Sequence, residues 1–159
     1  MRLCGYDYNT SNRYFLTFCT ENRRRILSTI QQGDIFEPAI LTLTEIGLIV
    51  DSYIKSSENM KGITIDHYVI MPNHVHILLS FIHDDTHDNG SSRAPTPTNS
   101  VIARYVSGLK RLVNRDVGHN IWQRGYYDHI IRNEDDYRNT WIYISNNPAH
   151  WAEDPYYQT

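Results

Sequence analysis

The alternation of apolar and polar side chains predicts four β-strands along the chain. They fall at residues 13–20, 63–70, 74–81 and 126–132, which are rich in β-branched and aromatic residues. The second and third strands are separated only by Met71, Pro72 and Asn73. This connection is typical of a tight turn, so we expect the two strands to form a β-hairpin. The segment 21–43 contains Gly33 and Pro38 as breakers, and we predict that it is irregular.

Apolar positions that recur every three or four residues predict three helices. The first follows Thr42–Glu45, which resembles a capping box, and ends before Gly62. The second covers residues 100–115, with an apolar stripe on one side and a basic stripe on the other. The third begins after Asn133, a favourable N-cap followed by three acidic residues, and continues to about residue 147.

The resulting order is β-α-β-β-α-β-α. Its first six elements match a ferredoxin-like, α+β arrangement, in which an antiparallel sheet carries two helices on one face. The last helix is an addition to that arrangement. We predict a single domain over residues 1–159. Residues 83–99 are dominated by Asp, Gly, Ser, Thr and Pro, and we interpret them as a mobile surface loop.

Composition and charge narrow the function classes. No apolar run approaches the roughly 20 residues that cross a bilayer, and the N-terminus lacks the apolar core of a signal peptide. Two cysteines without a Cys-x-x-Cys spacing give no disulfide scaffold, so we expect a cytoplasmic protein without a membrane partner. The net charge of −3 argues against a protein that coats nucleic acid nonspecifically. The acidic clusters at 84–88, 134–136 and 153–154 are most simply solvated.

His74 and His76 are the first candidates for chemistry. Because side chains alternate along a strand, both imidazoles project from one face of the predicted hairpin, while Val75, Ile77 and Leu79 project from the other. Two neutral imidazoles on a rigid strand can share a divalent cation. For a bare His-x-His, however, a pair of half-buried histidines with ordinary hydrogen bonds is the commoner arrangement.

The last helix offers a second set of candidate groups. Tyr143 and Asn147 are one turn apart on the same face, and they supply a phenol and an amide oxygen. If this helix covers the histidine face, one metal ion could contact His74, His76 and Asn147 with Tyr143 beside it. A nucleophile next to a Lewis acid fits phosphoryl transfer. Spacing alone does not select Tyr143 among the 12 tyrosines of the chain.

Three motifs occurring in order carry a resemblance to a known family. They are Val-Ile-Met-Pro-Asn-His-Val-His at 69–76, Ile-Trp-Gln-Arg-Gly-Tyr-Tyr-Asp-His-Ile-Ile-Arg-Asn at 121–133, and Tyr-Ile-Ser-Asn-Asn-Pro at 143–148. Together they resemble the IS200-type single-tyrosine transposases, and among these the REP-associated tyrosine transposases. The segment 14–23 also resembles the first strand of that family. After the Asn-Pro pair, residues 149–154 depart from the sequence found in many relatives.

The resemblance implies a function for each candidate residue. His74 and His76 match the metal-binding pair of the HUH nucleases, and Asn147 matches the polar residue that completes the site, with Mg²⁺ or Mn²⁺ as the cofactor. Tyr143 matches the tyrosine that forms a covalent 5′-phosphotyrosine link to DNA. The implied activity is that of a metal-dependent single-stranded DNA endonuclease and strand transferase, a transposase acting near hairpins.

The implied partner is single-stranded DNA with hairpin structure. Such DNA is bound through phosphate contacts and base stacking more than through groove readout. Our candidates for phosphate contacts are Arg111, Arg115, Arg124 and Arg132. Trp122 could stack on a base, although a place in the core is the simpler interpretation. Related enzymes include dimers that share sites, so a homodimer is also an option.

Two other hypotheses belong to different classes. One is a non-catalytic, ferredoxin-like nucleic-acid-binding module that only recognises hairpins, for which loss of a histidine or of the tyrosine would be expected. The other is a metal-storage or metal-sensing protein that uses the 8 histidines, most of which lack ligand spacing.

Overall fold

The computed structural model describes residues 12–57, 60, 62–82 and 98–157, with the backbone alone at 98–100. Its strands are β1 (Asn12–Cys19), β2 (Ser28–Gln31), β3 (Ile40–Leu43), β4 (Ile63–Ile70), β5 (His74–Phe81) and β6 (Tyr127–Ile130). Its α-helices are α1 (Glu45–Ser56), α2 (Thr98–Val117) and α3 (Glu134–Asn146). Short 3₁₀ turns occur at Glu21–Arg23 and Trp151–Glu153.

The main sheet has the order β4-β5-β1-β6, with every neighbouring pair antiparallel. This is the strand order of a ferredoxin-like fold, so the predicted α+β class is confirmed. The strands β4 and β5 form the expected hairpin. The amide of Met71 donates to the carbonyl of His74 at 2.8 Å and closes its turn.

The main hydrophobic core lies between this sheet and the helices α1 and α2. Val75, Ile77 and Leu79 of β5 are fully buried there, as the alternation predicted. The residues of α2 in the same core are Ile102, Tyr105, Val106, Leu109 and Val113.

The helix α3 covers the opposite face of the sheet. Leu78, Ile131 and Ile144 form a second, smaller cluster, against which Phe15 and Tyr137 pack. Because Leu78 is two residues beyond His76, it projects from the same face of β5 as the histidines. The contact between Leu78 and Ile144 therefore places α3 over the histidine face.

Helix caps show where local signals are accurate and where they are not. Asn133 caps α3 as predicted, since its side chain accepts from the amide of Asp136 at 2.8 Å. The cap of α1 is Thr44, which accepts from the amide of Gly47 at 3.1 Å. The predicted capping box beginning at Thr42 was therefore wrong by two residues. Thr42 is instead paired in β3, opposite Thr29.

Two further boundaries differ from expectation. The segment 21–43 is not wholly irregular, because β2 and β3 form a two-stranded antiparallel ribbon within it. Each of these strands has only four residues, too few for alternation to be distinguished from chance. The predicted loop at 83–99 falls outside the described residues except for 98 and 99, which already belong to α2. No helix among the described ranges is long and apolar enough to cross a membrane.

Candidate functional site

The two histidines of β5 meet at one point beneath α3. His74 and His76 are 0% and 1% exposed, and their Nε2 atoms are 3.1 Å apart. In the strand register, His76 lies opposite Thr17 of β1. Two ring nitrogens at this distance cannot both carry a proton, so at least one lone pair points into the space between the rings.

The other ring nitrogens are fixed by hydrogen bonds. His76 Nδ1 is 2.7 Å from Thr17 Oγ1, and His74 Nδ1 is 2.8 Å from Asn73 Oδ1. The Asn73 amide nitrogen donates to the carbonyls of Arg23 and Tyr156, which orients its oxygen toward His74. Since that oxygen only accepts, His74 Nδ1 carries the proton and its Nε2 is free to act as a ligand. Hydrogen bonds of this kind hold metal-binding histidines in place.

Burial keeps both imidazoles neutral. It lowers the pKa of His74 to about 3. Burial also lowers the pKa of His76 well below its usual range, and the neighbouring His74 lowers it further. At neutral pH neither ring is protonated on both nitrogens, so the pair can bind a cation without first losing protons.

Asp154 joins the histidines from the C-terminal segment. It is 8% exposed, and its Oδ2 lies 3.8 Å from His74 Nε2. This oxygen is buried and has no hydrogen-bond partner among the described residues. Burial raises the pKa of the Asp154 carboxyl. In the described part of the chain, one cluster of three or more His, Cys, Asp or Glu side chains could hold a metal ion. It consists of His74, His76 and Asp154.

Asn147 adds an oxygen to the same site. It caps the C-terminus of α3 and is 4% exposed. Within the described chain, its buried Oδ1 has no hydrogen-bond partner. The Asn147 amide influences the pKa values of His74, Tyr143 and Asp154, so it lies near all three. Two imidazole nitrogens and two unpartnered oxygens are a donor set that fits a divalent cation.

Tyr143 lies at the edge of this donor set. Its ring centroid is 5.4 Å from that of His76 in the same chain. The side chain is 42% exposed, so it is open to solvent rather than buried in packing. Burial raises the pKa of the phenol, the charge of Asp154 raises it further, and the nearby Asn147 amide lowers it. The phenol is therefore protonated at neutral pH.

The C-terminal segment closes the other side of the site. The ring of Tyr156 is 4.4 Å from that of His74, and the guanidinium of Arg23 is 5.2 Å from the Tyr156 ring. Sequence reasoning missed Asp154 because it was read as part of a solvated acidic pair. Asp154 lies after α3 at no regular spacing from His74, His76 or Asn147, so the sequence does not distinguish it from Glu153. Its burial in the fold does.

The four candidate arginines are exposed and do not gather at Tyr143. Arg111 and Arg115 are on α2, which packs on the opposite face of the sheet. Arg124 lines a separate cleft with Lys110 of α2, and Arg132 directly precedes the N-cap of α3. Trp122 is 3% exposed and belongs to the main core, so its interpretation as a core residue is confirmed.

Comparisons with known proteins bear on the fold of this chain. No family model matches the chain. The chain is 28% identical over 177 aligned positions to an uncharacterised protein of Haemophilus influenzae, an alignment that covers 99% of this chain and 91% of that protein.

Two solved structures share the architecture. One is a REP-associated tyrosine transposase bound to a REP hairpin, with a TM-score of 0.61 and 21% identity over 95% of this chain and 74% of that one. This chain has the same fold. The other is a crystal structure from Deinococcus radiodurans, provisionally assigned as a transposase, with a TM-score of 0.51 and 17% identity over 92% of this chain and 96% of that one. The fold implied by the resemblance to single-tyrosine transposases is thus confirmed.

Proposed function

We propose that this protein is a metal-dependent single-stranded DNA endonuclease and strand transferase, a transposase that acts next to hairpins through a covalent 5′-phosphotyrosine on Tyr143. One observation carries the proposal. A half-exposed phenol lies beside two neutral imidazoles whose Nε2 atoms are 3.1 Å apart, and two buried oxygens at the same place have no partner among the described residues. A site built only for stability would not leave these acceptors unpaired.

In this proposal His74, His76, Asp154 and Asn147 would hold Mg²⁺ or Mn²⁺. When bound, the ion would polarise a phosphate oxygen and offset the charge that develops during displacement. Thr17 and Asn73 keep the two rings in the ligating orientation by their hydrogen bonds to the Nδ1 atoms. Asp154 is the ligand that we add to the set predicted from the sequence.

Tyr143 supplies the nucleophile. Its phenol oxygen attacks the scissile phosphorus, and the bond from phosphorus to the 3′-oxygen breaks. The phenol proton passes to water, and the departing 3′-oxygen takes up a proton to become a hydroxyl. The DNA stays joined to Tyr143 through its 5′-phosphate. In the reverse direction, a 3′-hydroxyl attacks the phosphotyrosine and re-forms a phosphodiester, so strands are rejoined without ATP.

The proposed substrate is single-stranded DNA that carries a hairpin, by analogy with the REP hairpin bound to the structural neighbour. Arg111, Arg115 and Arg124 are on the α2 side, where they could contact the phosphates of a stem, and Arg132 is closer to α3. Since Tyr143 and the histidines meet within one chain, the proposed chemistry does not require a second subunit. A homodimer stays a prediction.

The proposal is tested by trapping the covalent adduct. A labelled single strand with a hairpin is incubated with Mn²⁺ and analysed on a denaturing gel. The wild-type protein should become linked to the label, and Tyr143→Phe should form no adduct. Tyr137→Phe is the matched control, because Tyr137 is on the same helix but packs in the Leu78 cluster, and its adduct should persist.

Two outcomes would contradict the proposal. An adduct on Tyr143→Phe would assign the nucleophile to another residue. Hairpin binding by the wild-type protein with no nick and no adduct would favour the non-catalytic nucleic-acid-binding module instead.

A further inference from the structure

An open cleft lies beside Tyr143, between β6 and α3. Its volume is about 330 Å³, and it is lined by Phe15, Tyr127, His129, Asn139, Thr140 and Tyr143. We refer to these six residues as the base cleft. Sites for small ligands measure roughly 300–1,000 Å³, so this cleft could hold one nucleobase but could not hold a duplex stem.

Aromatic rings dominate the base cleft. Tyr127 is 58% exposed and Tyr143 is 42% exposed, and both therefore present ring surface to solvent. Tyr127 is on the edge strand β6, opposite Thr17, whose hydroxyl is hydrogen-bonded to His76. Bases stack on exposed aromatic rings with little dependence on sequence.

Polar groups at the rim could contact the edge of a base. The amide of Asn139 is exposed to solvent and offers both a donor and an acceptor. The hydroxyl of Thr140 donates to the carbonyl of Asp136 at 2.8 Å, which leaves its oxygen able to accept. His129 Nε2 donates to the carboxylate of Asp136 at 3.0 Å, which fixes the imidazole in place.

The side chains that line the base cleft suit a nucleobase better than a phosphate. Among the described residues that line it, none is Lys or Arg. A phosphate or a stem backbone would be bound through such cations. Aromatic faces combined with amide and hydroxyl groups are instead the groups that bind unpaired bases.

We propose that the base cleft binds one unpaired nucleobase adjacent to the phosphate that Tyr143 attacks, with Tyr127 as its stacking residue. This inference rests on the proposed function for the position of that phosphate. Because a base inside a stem has its edge paired and its faces stacked on its neighbours, the cleft would restrict cleavage to unpaired positions next to a hairpin. Asn139 would then contribute a preference among bases.

The test is a binding experiment in which cleavage cannot interfere. Fluorescence anisotropy in EDTA compares a DNA hairpin with single-stranded thymidine tails against the same hairpin with abasic tails. The proteins are wild type, Tyr127→Ala and Phe36→Ala. Phe36 is 85% exposed and is not among the residues lining the base cleft, so it controls for loss of an exposed ring. Circular dichroism confirms that each variant is folded.

For the wild-type protein and Phe36→Ala, we expect abasic tails to weaken binding roughly tenfold, which is about 1.4 kcal/mol. For Tyr127→Ala, the two hairpins should bind about equally. Equal weakening of both hairpins by Tyr127→Ala would overturn the inference, since it would indicate a backbone contact. An unchanged tenfold difference in Tyr127→Ala, or no difference in the wild type, would overturn it as well.

A second variant keeps the inference testable if Tyr127→Ala does not fold. Asn139 is exposed on α3, and Asn139→Ala should change the ranking of hairpins with thymidine, adenosine, cytidine or guanosine tails. An unchanged ranking would contradict base recognition in this cleft. These measurements need no covalent adduct, so a failure of base binding and a failure of the proposed cleavage are observed separately.

Discussion

The two faces of β5 are built from neighbouring residues of one strand, yet they bury opposite kinds of group. On one face, Val75, Ile77 and Leu79 are fully buried against α1 and α2. On the other, His74 and His76 are equally buried. The apolar face gains stability by removing hydrocarbon from water. The polar face pays for desolvation and still leaves the oxygens of Asn147 and Asp154 without partners among the described residues.

The contrast separates a face whose burial stabilises the fold from a face whose polar groups depend on specific contacts. Aliphatic side chains in the core can be exchanged for others of similar volume at modest cost. The positions of Thr17, Asn73 and the two histidines depend instead on specific hydrogen bonds. The unpartnered oxygens are explained if a cation completes their coordination.

The largest expected effect is on chemistry, in His76→Leu. This change places an apolar side chain on the polar face and removes one proposed ligand, so metal-dependent cleavage should fall by at least about a thousandfold, or about 4 kcal/mol. The free energy of unfolding without metal should stay within about 2 kcal/mol of the wild-type value, because the Thr17 hydroxyl and His74 Nε2 are the groups that lose a buried partner. Cleavage rates and denaturant unfolding in EDTA measure the two effects. Wild-type cleavage by this variant would remove His76 from the site.

The neighbouring residue should behave in the opposite way. Ile77→Ala leaves a cavity in the main core, where the side chain is fully buried, and should lower the free energy of unfolding by about 2–5 kcal/mol. Below the unfolding temperature, Mn²⁺ affinity should remain near the wild-type value, because the polar face is unchanged. Denaturant unfolding and isothermal titration calorimetry measure this. A loss of less than about 1 kcal/mol in the free energy of unfolding would contradict the assignment of this face to stability.

A smaller effect is expected for Asp154→Asn. The substitution keeps the size of the side chain but removes the carboxylate charge, so Mn²⁺ affinity should fall about tenfold, or about 1.4 kcal/mol. The rise in melting temperature on adding Mn²⁺ should shrink accordingly. The control is Glu153→Gln, since Glu153 is the exposed neighbour of Asp154, and its affinity should not change. Equal affinities for both variants would exclude Asp154 as a ligand.

Much of the architecture was predictable because its signals are local. The turn at Met71–Asn73, the alternation along β5 and the N-cap Asn133 each depend on residues within a few positions of one another. The ribbon of β2 and β3 was missed because its strands are short and are stabilised mainly by pairing with each other. The N-cap of α1 was predicted two residues too early, because Thr42 pairs with Thr29 between β3 and β2. No residue near Thr42 indicates that pairing.

Local patterns were enough to place His74 and His76 on one strand face and Tyr143 and Asn147 on one helical face, because strand and helix periods are set by backbone geometry. The order of the predicted elements was enough to predict a ferredoxin-like sheet. The packing of α3 over the histidines, and the burial of Asp154 rather than Glu153 beside them, became evident from the three-dimensional fold. Those contacts join segments far apart in the chain, and their positions follow from packing that no local pattern records.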